Sequence, residues 1–178
     1  MMASKEVKFL GEGNAERLML RWLKIPDDMF REVSGNGNIA AFMQKHEKNA
    51  FYQVIVGITD NDKIRPDYFD NFYEQRREAN LILQKHNDFS FYLITVCPAF
   101  EKWLLAAAQV ANIISSDYKI PNTAKDLKRI TRKDTLEKDQ IYQRFFSAVK
   151  KANPPDFQIM SDWLGNLKKM AYEHKHSK

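Results

Sequence analysis

Apolar and polar positions follow two different repeats along this chain. The segment 54–58 is an uninterrupted apolar run rich in β-branched residues, which is typical of a strand buried on both faces of a parallel sheet. Segments at 6–10, 29–33 and 89–96 predict three more strands. Together these segments predict an α/β fold with a four-stranded, mainly parallel sheet sandwiched by helices, a Rossmann-like arrangement of three layers.

Helical patterns lie between the predicted strands. A first helix follows Asn14 and must end by Pro26, because a proline disfavours helical backbone in the residue before it. Apolar residues at helical spacing predict three further helices in this part of the chain, at 39–48, 67–86 and 98–115.

The last third of the chain has a different character. It contains two amphipathic patterns at helical spacing, at 141–149 and 157–171, the second of which follows a pair of prolines. We therefore expect an α/β core at 1–116 and a helical extension at 117–178 that packs on this core.

Acidic residues stand where three of the predicted strands end. Asp60 and Asp62 end the central strand, and on an extended chain residues i and i+2 point the same way, about 6–7 Å apart. Glu12 follows the first strand, and Glu101 lies in the first helical turn after the fourth. Because ligands usually bind at the carboxyl edge of such a sheet, these acids predict a divalent-metal site. The alternative is a turn rich in aspartate and asparagine that merely ends the strand.

Further polar residues lie near this edge. Glu16 falls in a first helical turn, where a carboxylate is favourable to the helix dipole in any case, so Glu12 is the stronger site candidate. Lys63 and Arg65 are close enough in sequence to touch either a phosphate or the carboxylates. The glycine-rich turn at 34–38 offers backbone N–H groups to an anion or is a flexible helix cap.

Composition narrows the class of partner. The net charge of +5 favours a polyanionic partner such as nucleic acid, although many basic proteins bind none. A run of basic residues, here called the basic run, lies between the core and the last two helices, at Lys125, Lys128, Arg129, Arg132 and Lys133.

The single cysteine excludes an internal disulfide and a multi-cysteine zinc site. No segment approaches the length of a membrane span, so we expect a cytoplasmic protein without a membrane partner.

Four motifs follow one another along residues 5–106. They are Gly11-Glu12-Gly13 with Glu16, Gly35-Asn36-Gly37-Asn38, Thr59-Asp60-Asn61-Asp62 and Phe100-Glu101-Lys102-Trp103-Leu104-Leu105. Their order resembles that of the Toprim family, the metal-binding domain of topoisomerases, primases and OLD-type nucleases. More closely, it resembles the small stand-alone Toprim-like proteins of bacterial defence systems and mobile elements.

The resemblance implies a set of roles for these residues. Glu12, Asp60 and Asp62 would form an acidic cluster that holds Mg²⁺ or Mn²⁺, which suit hard oxygen ligands. Glu101 would complete or orient a second metal site, and Lys63 would neutralise a phosphate in the transition state. The implied catalytic residues are therefore Glu12, Asp60, Asp62 and Lys63.

Three functions follow as hypotheses. The first is a metal-dependent phosphodiester hydrolase that acts on DNA or RNA, in which the basic run contacts the nucleic acid. The second is a non-catalytic Toprim-like module that works with a separately encoded partner, such as an ATPase or another defence protein. The third is nucleotidyl transfer or nucleotide-sugar chemistry at the same aspartates.

Overall fold

A six-stranded sheet organises the described part of the chain. The computed structural model describes residues 6–48, 52–61 and 63–176. The strand order is β2-β1-β3-β6-β5-β4. The strands are β1 Glu6–Gly11, β2 Phe30–Glu32, β3 Tyr52–Asp60, β4 Phe72–Glu78, β5 Leu81–His86 and β6 Phe91–Val96.

The predicted α/β class is confirmed, but the sheet is larger than expected. The four predicted strands correspond to β1, β2, β3 and β6, and they lie side by side in parallel. The strands β5 and β4 extend this parallel part in antiparallel pairing. The sheet is therefore six-stranded and mixed, and the prediction of four strands was wrong.

The error lies in the segment 67–86, which was predicted to be one long helix. It forms a 3₁₀ turn at Asp67–Asn71 and then the hairpin β4–β5. The apolar residues of β5 are buried, whereas all residues of β4 after Phe72 are exposed. A sheet edge with one solvated strand thus produces a mixture of apolar and charged residues that resembles an amphipathic helix. Pairing of β5 with β6 decides between the two outcomes, and sequence spacing cannot reveal it.

Six α-helices surround the sheet in the part of the chain that the structure describes. They are α1 Asn14–Trp22, α2 Gly35–Glu47, α3 Phe100–Val110, α4 Ala124–Thr131, α5 Gln140–Ala152 and α6 Pro155–His176. Both faces of the sheet are covered, because its buried side chains fall into two hydrophobic clusters. One cluster contains residues of α1, α3, α5 and α6, and the other contains residues of α2. None of the helices in the part of the chain that the structure describes combines the length and the apolar character needed to cross a membrane.

Alternate side chains of the central strand β3 pack on opposite faces of the sheet. Val56 packs in the larger cluster and Ile55 in the smaller one. Gly57 lets α2 approach the sheet closely, because an added Cβ would lie 2.7 Å from a methyl carbon of Ile39. On the opposite face, Trp103 of α3 stacks on Phe157 of α6 at 4.8 Å between ring centroids. The C-terminal helices therefore share the main core with the sheet, while the boundary at residue 116 stays a prediction.

Candidate functional site

A polar pocket lies at the edge of the sheet where β1 and β3 end. Its volume is about 160 Å³. Six acidic and three basic side chains line it, namely Glu12, Glu16, Glu32, Asp60, Glu101, Asp134, Lys63, Lys128 and Arg132. The pocket thus brings together acids that are far apart in sequence with two cations of the basic run.

Parallel pairing explains why the acids meet. Leu10 of β1 pairs with Gly57 of β3, and Asp60 at the end of β3 pairs with Val96 at the end of β6. Because these strands run in the same direction, their carboxyl ends form one edge. The helices that follow β1 and β6 start at this edge, and each places an acid in its first turn, Glu16 in α1 and Glu101 in α3.

Asp60 is held firmly within this edge. Its carboxylate is 9% exposed, and its Oδ1 accepts a hydrogen bond of 3.0 Å from the backbone N–H of Phe100. Phe100 is the first residue of α3. The backbone N–H groups in the first turn of a helix have no partner within the helix. The Asp60 carboxylate therefore satisfies one of them and is itself fixed in orientation.

The ammonium group of Lys63 contacts two carboxylates of the pocket. Its Nζ forms an ion pair with Oε2 of Glu12 and lies 3.5 Å from Oδ2 of Asp60. Burial is the main cause that lowers the pKa of Lys63, and the nearby charges of Lys128 and Arg132 lower it further. The other oxygen of Glu12, Oε1, is buried and has no hydrogen-bond partner among the residues that the structure describes. Of the two contacts that the sequence left open for Lys63, the structure shows the one with carboxylates.

Glu16 and Glu101 also line the pocket. Burial raises the pKa of Glu16 to about 8, and the neighbouring charges of Asp60 and Glu101 add to this increase. Glu16 is therefore mostly protonated at neutral pH. Glu101 is buried, and its Oε1 accepts a hydrogen bond of 2.6 Å from the hydroxyl of Thr131 at the end of α4.

Sequence reasoning undervalued Glu16 and missed Thr131. The available signal for Glu16 was its position at the strand-to-helix turn, which was explained by the helix dipole alone. Thr131 had no comparable signal, since its contact with Glu101 spans 30 positions of sequence. Only the docking of α4 beside the sheet edge brings it there.

The basic run divides into two groups. Lys128 and Arg132, one helical turn apart, line the pocket. Lys125, Arg129 and Lys133 are exposed and do not line it, and Arg129 pairs with Asp126 at 3.1 Å. The predicted nucleic-acid contacts are therefore not equivalent, because only two of the five residues face the carboxylates.

The donor set of the pocket suits a hard divalent cation. Glu12, Asp60 and Glu101 offer carboxylate oxygens, and the unpartnered Oε1 of Glu12 is available to a cation. Within 6–48, 52–61 and 63–176, no three histidine, cysteine, aspartate or glutamate side chains are gathered closely enough to hold a metal as they stand. The ammonium of Lys63 bridges two of the carboxylates. Asp62, the remaining predicted ligand, lies outside the described residues.

Comparison of the chain with protein-family models, with curated proteins and with solved structures finds no match. The resemblance to the Toprim family therefore depends on the motifs and stays a prediction.

Proposed function

We propose that this chain is a metal-dependent phosphodiester hydrolase that acts on DNA or RNA. The observation that carries the proposal is the convergence of Glu12, Asp60 and Glu101 with Lys128 and Arg132 in one polar pocket. A phosphodiester is an anion, so a site that binds it beside carboxylates needs positive charge on both sides of the phosphate. The basic residues of α4 supply this charge on one side, and a divalent cation on the carboxylates would supply it on the other.

Three of the four predicted metal ligands, Glu12, Asp60 and Glu101, line the pocket. Glu12 and Asp60 would hold Mg²⁺ or Mn²⁺ together with Asp62, and Glu101 would hold or orient a second ion. Such ions polarise a scissile phosphate and lower the pKa of bound water, which generates the nucleophile at neutral pH.

The remaining residues of the pocket bind and balance charge. Lys128 and Arg132 face the carboxylates across a small pocket and would bind the phosphate oxygens, as lysine and arginine commonly do. Lys63, once released from Glu12, can neutralise charge on the same phosphate. Glu16 keeps its proton at neutral pH because its pKa is raised to about 8, which limits the negative charge that the phosphate must approach.

The proposal is tested by incubating single-stranded and duplex DNA and RNA oligonucleotides with the protein and Mg²⁺ or Mn²⁺. We expect cleavage that a chelator abolishes and that Asp60→Ala abolishes without loss of the folded circular dichroism spectrum. Asp28→Ala is the matched control, because Asp28 is exposed and does not line the pocket. Retained cleavage in Asp60→Ala would contradict the proposal.

One observation favours a second candidate, a non-catalytic Toprim-like module that works with a partner such as an ATPase or another defence protein. The single positive charge of Lys63 already compensates part of the negative charge of Glu12 and Asp60 without a metal ion. This candidate predicts no cleavage of any oligonucleotide by the protein alone, and no increase in its melting temperature with Mn²⁺.

A further inference from the structure

One hydrogen bond links the helical extension to the carboxylates of the pocket. The hydroxyl of Thr131 donates to Oε1 of Glu101 at 2.6 Å. Both side chains are almost fully buried, with 4% of Thr131 and 7% of Glu101 exposed. Thr131 lies at the end of α4, beyond the residues 5–106 that resemble the Toprim family, so this contact is not part of the motif set.

We propose that Thr131 is a positioning residue for Glu101, and that α4 thereby completes the site. The inference rests on the proposed function, since it assigns Glu101 a part in binding the cation. It adds that the geometry of the metal site depends on α4, which lies outside the residues 5–106 that carry the resemblance.

The physical argument starts from the cost of a buried carboxylate. A carboxylate removed from water needs hydrogen-bond donors, and a donor at 2.6 Å to an ionised oxygen makes one of the stronger hydrogen bonds in proteins. The hydroxyl of Thr131 has a second possible acceptor, the carbonyl of Lys128, but at 3.3 Å. The shorter contact identifies Glu101 as the principal acceptor.

The donor is itself well fixed. Threonine is β-branched, so its side chain has few rotamers within a helix. The helix α4 is anchored at its start, where the side chain of Thr123 accepts a hydrogen bond from the backbone N–H of Asp126, and by Leu127, which is fully buried. Thr131 therefore presents its hydroxyl from a rigid support, as a residue that orients a metal ligand must.

The same helix also carries the cations of the pocket. Lys128 and Arg132 flank Thr131 in sequence, and both line the pocket with Glu101. A shift of α4 would therefore move the hydroxyl donor and the phosphate-binding charges together.

The test uses the full chain and Mn²⁺ binding measured by isothermal titration calorimetry. Thr131→Val keeps the shape of the side chain but removes the donor, and Thr131→Ser keeps the donor. We expect Thr131→Val to weaken Mn²⁺ binding about tenfold, the lower end of the usual effect of residues that orient metal ligands. Thr131→Ser should stay within about twofold of the wild type.

A double-mutant cycle separates positioning from a general structural effect. In the background of Glu101→Ala, which removes the acceptor and itself weakens binding, Thr131→Val should cause no further loss, because the hydroxyl no longer has a carboxylate to orient. Circular dichroism and thermal melting establish that each variant folds. If Thr131→Val does not fold, Thr131→Ala makes the same comparison without the added methyl group.

The outcomes distinguish this inference from the proposed function. If the wild type binds Mn²⁺ and Thr131→Val binds it equally well, or loses the same factor with and without Glu101, the positioning role is wrong and the metal site stands. If the folded wild type binds no Mn²⁺, the proposed function fails and the inference fails with it.

Discussion

The pocket has a carboxylate wall, formed by the acids of the sheet edge, and a basic wall, formed by Lys128 and Arg132. The two walls differ in how firmly the charged groups are fixed. On the sheet edge, two buried carboxylates accept specific hydrogen bonds within the fold, Asp60 from the N–H of Phe100 and Glu101 from the hydroxyl of Thr131. On α4, the basic residues extend from the helix surface, and most of them are exposed. Buried and fixed charges interact strongly at short range, whereas exposed charges are screened by salt. The carboxylate wall should therefore respond steeply to single substitutions, and the basic wall gradually and in a salt-dependent manner.

The largest effect is expected on the carboxylate wall. Asp60→Asn keeps the shape of the side chain but removes its charge, and we expect the rate of cleavage to fall by about a hundred- to a thousandfold, as when a preorganised electrostatic contact is lost. The rate is measured on a labelled oligonucleotide with Mn²⁺, beside Asp28→Asn. A loss below about threefold would show that the two walls do not differ as described.

A smaller effect is expected on the basic wall. Combined replacement of Lys128 and Arg132 by alanine should weaken oligonucleotide binding about tenfold or somewhat more, because two charge-assisted contacts to phosphate are lost. The matched control replaces Lys125 and Lys133, which carry the same charge but do not line the pocket. Binding is measured by fluorescence anisotropy at several salt concentrations.

The control pair decides whether position or only charge matters. We expect Lys125 and Lys133 together to contribute about twofold, with a reduced salt dependence in both double variants. Equal losses in the two double variants would mean that α4 acts as a uniform basic surface, and the division of the basic run would be wrong.

Lys63 is a cation that lies among the carboxylates of the sheet edge. Because its ammonium pairs with Glu12 and Asp60, it competes with a divalent cation for these carboxylates. Lys63→Met should therefore tighten Mn²⁺ binding by about fivefold at low salt, while Lys45→Met, at an exposed position in α2, should leave it unchanged. Weaker binding in Lys63→Met, measured by calorimetry, would contradict this competition.

The pH dependence of stability should reveal the partly buried carboxyl of Glu16. Its pKa is about 8 in the folded protein, against 4.5 as the ordinary value, so folding takes up a proton between these limits. The free energy of unfolding should fall as the pH rises from about 4.5 to about 8, with a slope below about 1.4 kcal/mol per pH unit because the side chain is only partly buried. Glu16→Gln should flatten this slope in urea titrations at pH 5 to 9. An unchanged slope would show that Glu16 is ionised in the folded state.

The sequence allows the carboxylate wall to be predicted better than the basic wall. The run 54–58 and the acids after it are local features, and the rule that parallel strands share their carboxyl edge places Glu12, Asp60 and Glu101 together. The hairpin at 72–86 could not be predicted, because pairing with β6 overrides its helix-like spacing. The docking of α4 decides that Lys128 and Arg132 line the pocket while the neighbouring basic residues do not. It also brings the hydroxyl of Thr131 to Glu101. No local sequence pattern encodes this docking.

Binding of Mn²⁺ by calorimetry, with the wild type beside Asp60→Ala and Glu12→Ala, tests the central claim most directly. The account predicts that the wild type binds Mn²⁺ and that both variants lose this binding while their circular dichroism spectra stay folded. If the folded wild type binds neither Mn²⁺ nor Mg²⁺, even with an oligonucleotide present, the edge of the sheet is not a metal site and the central claim is contradicted.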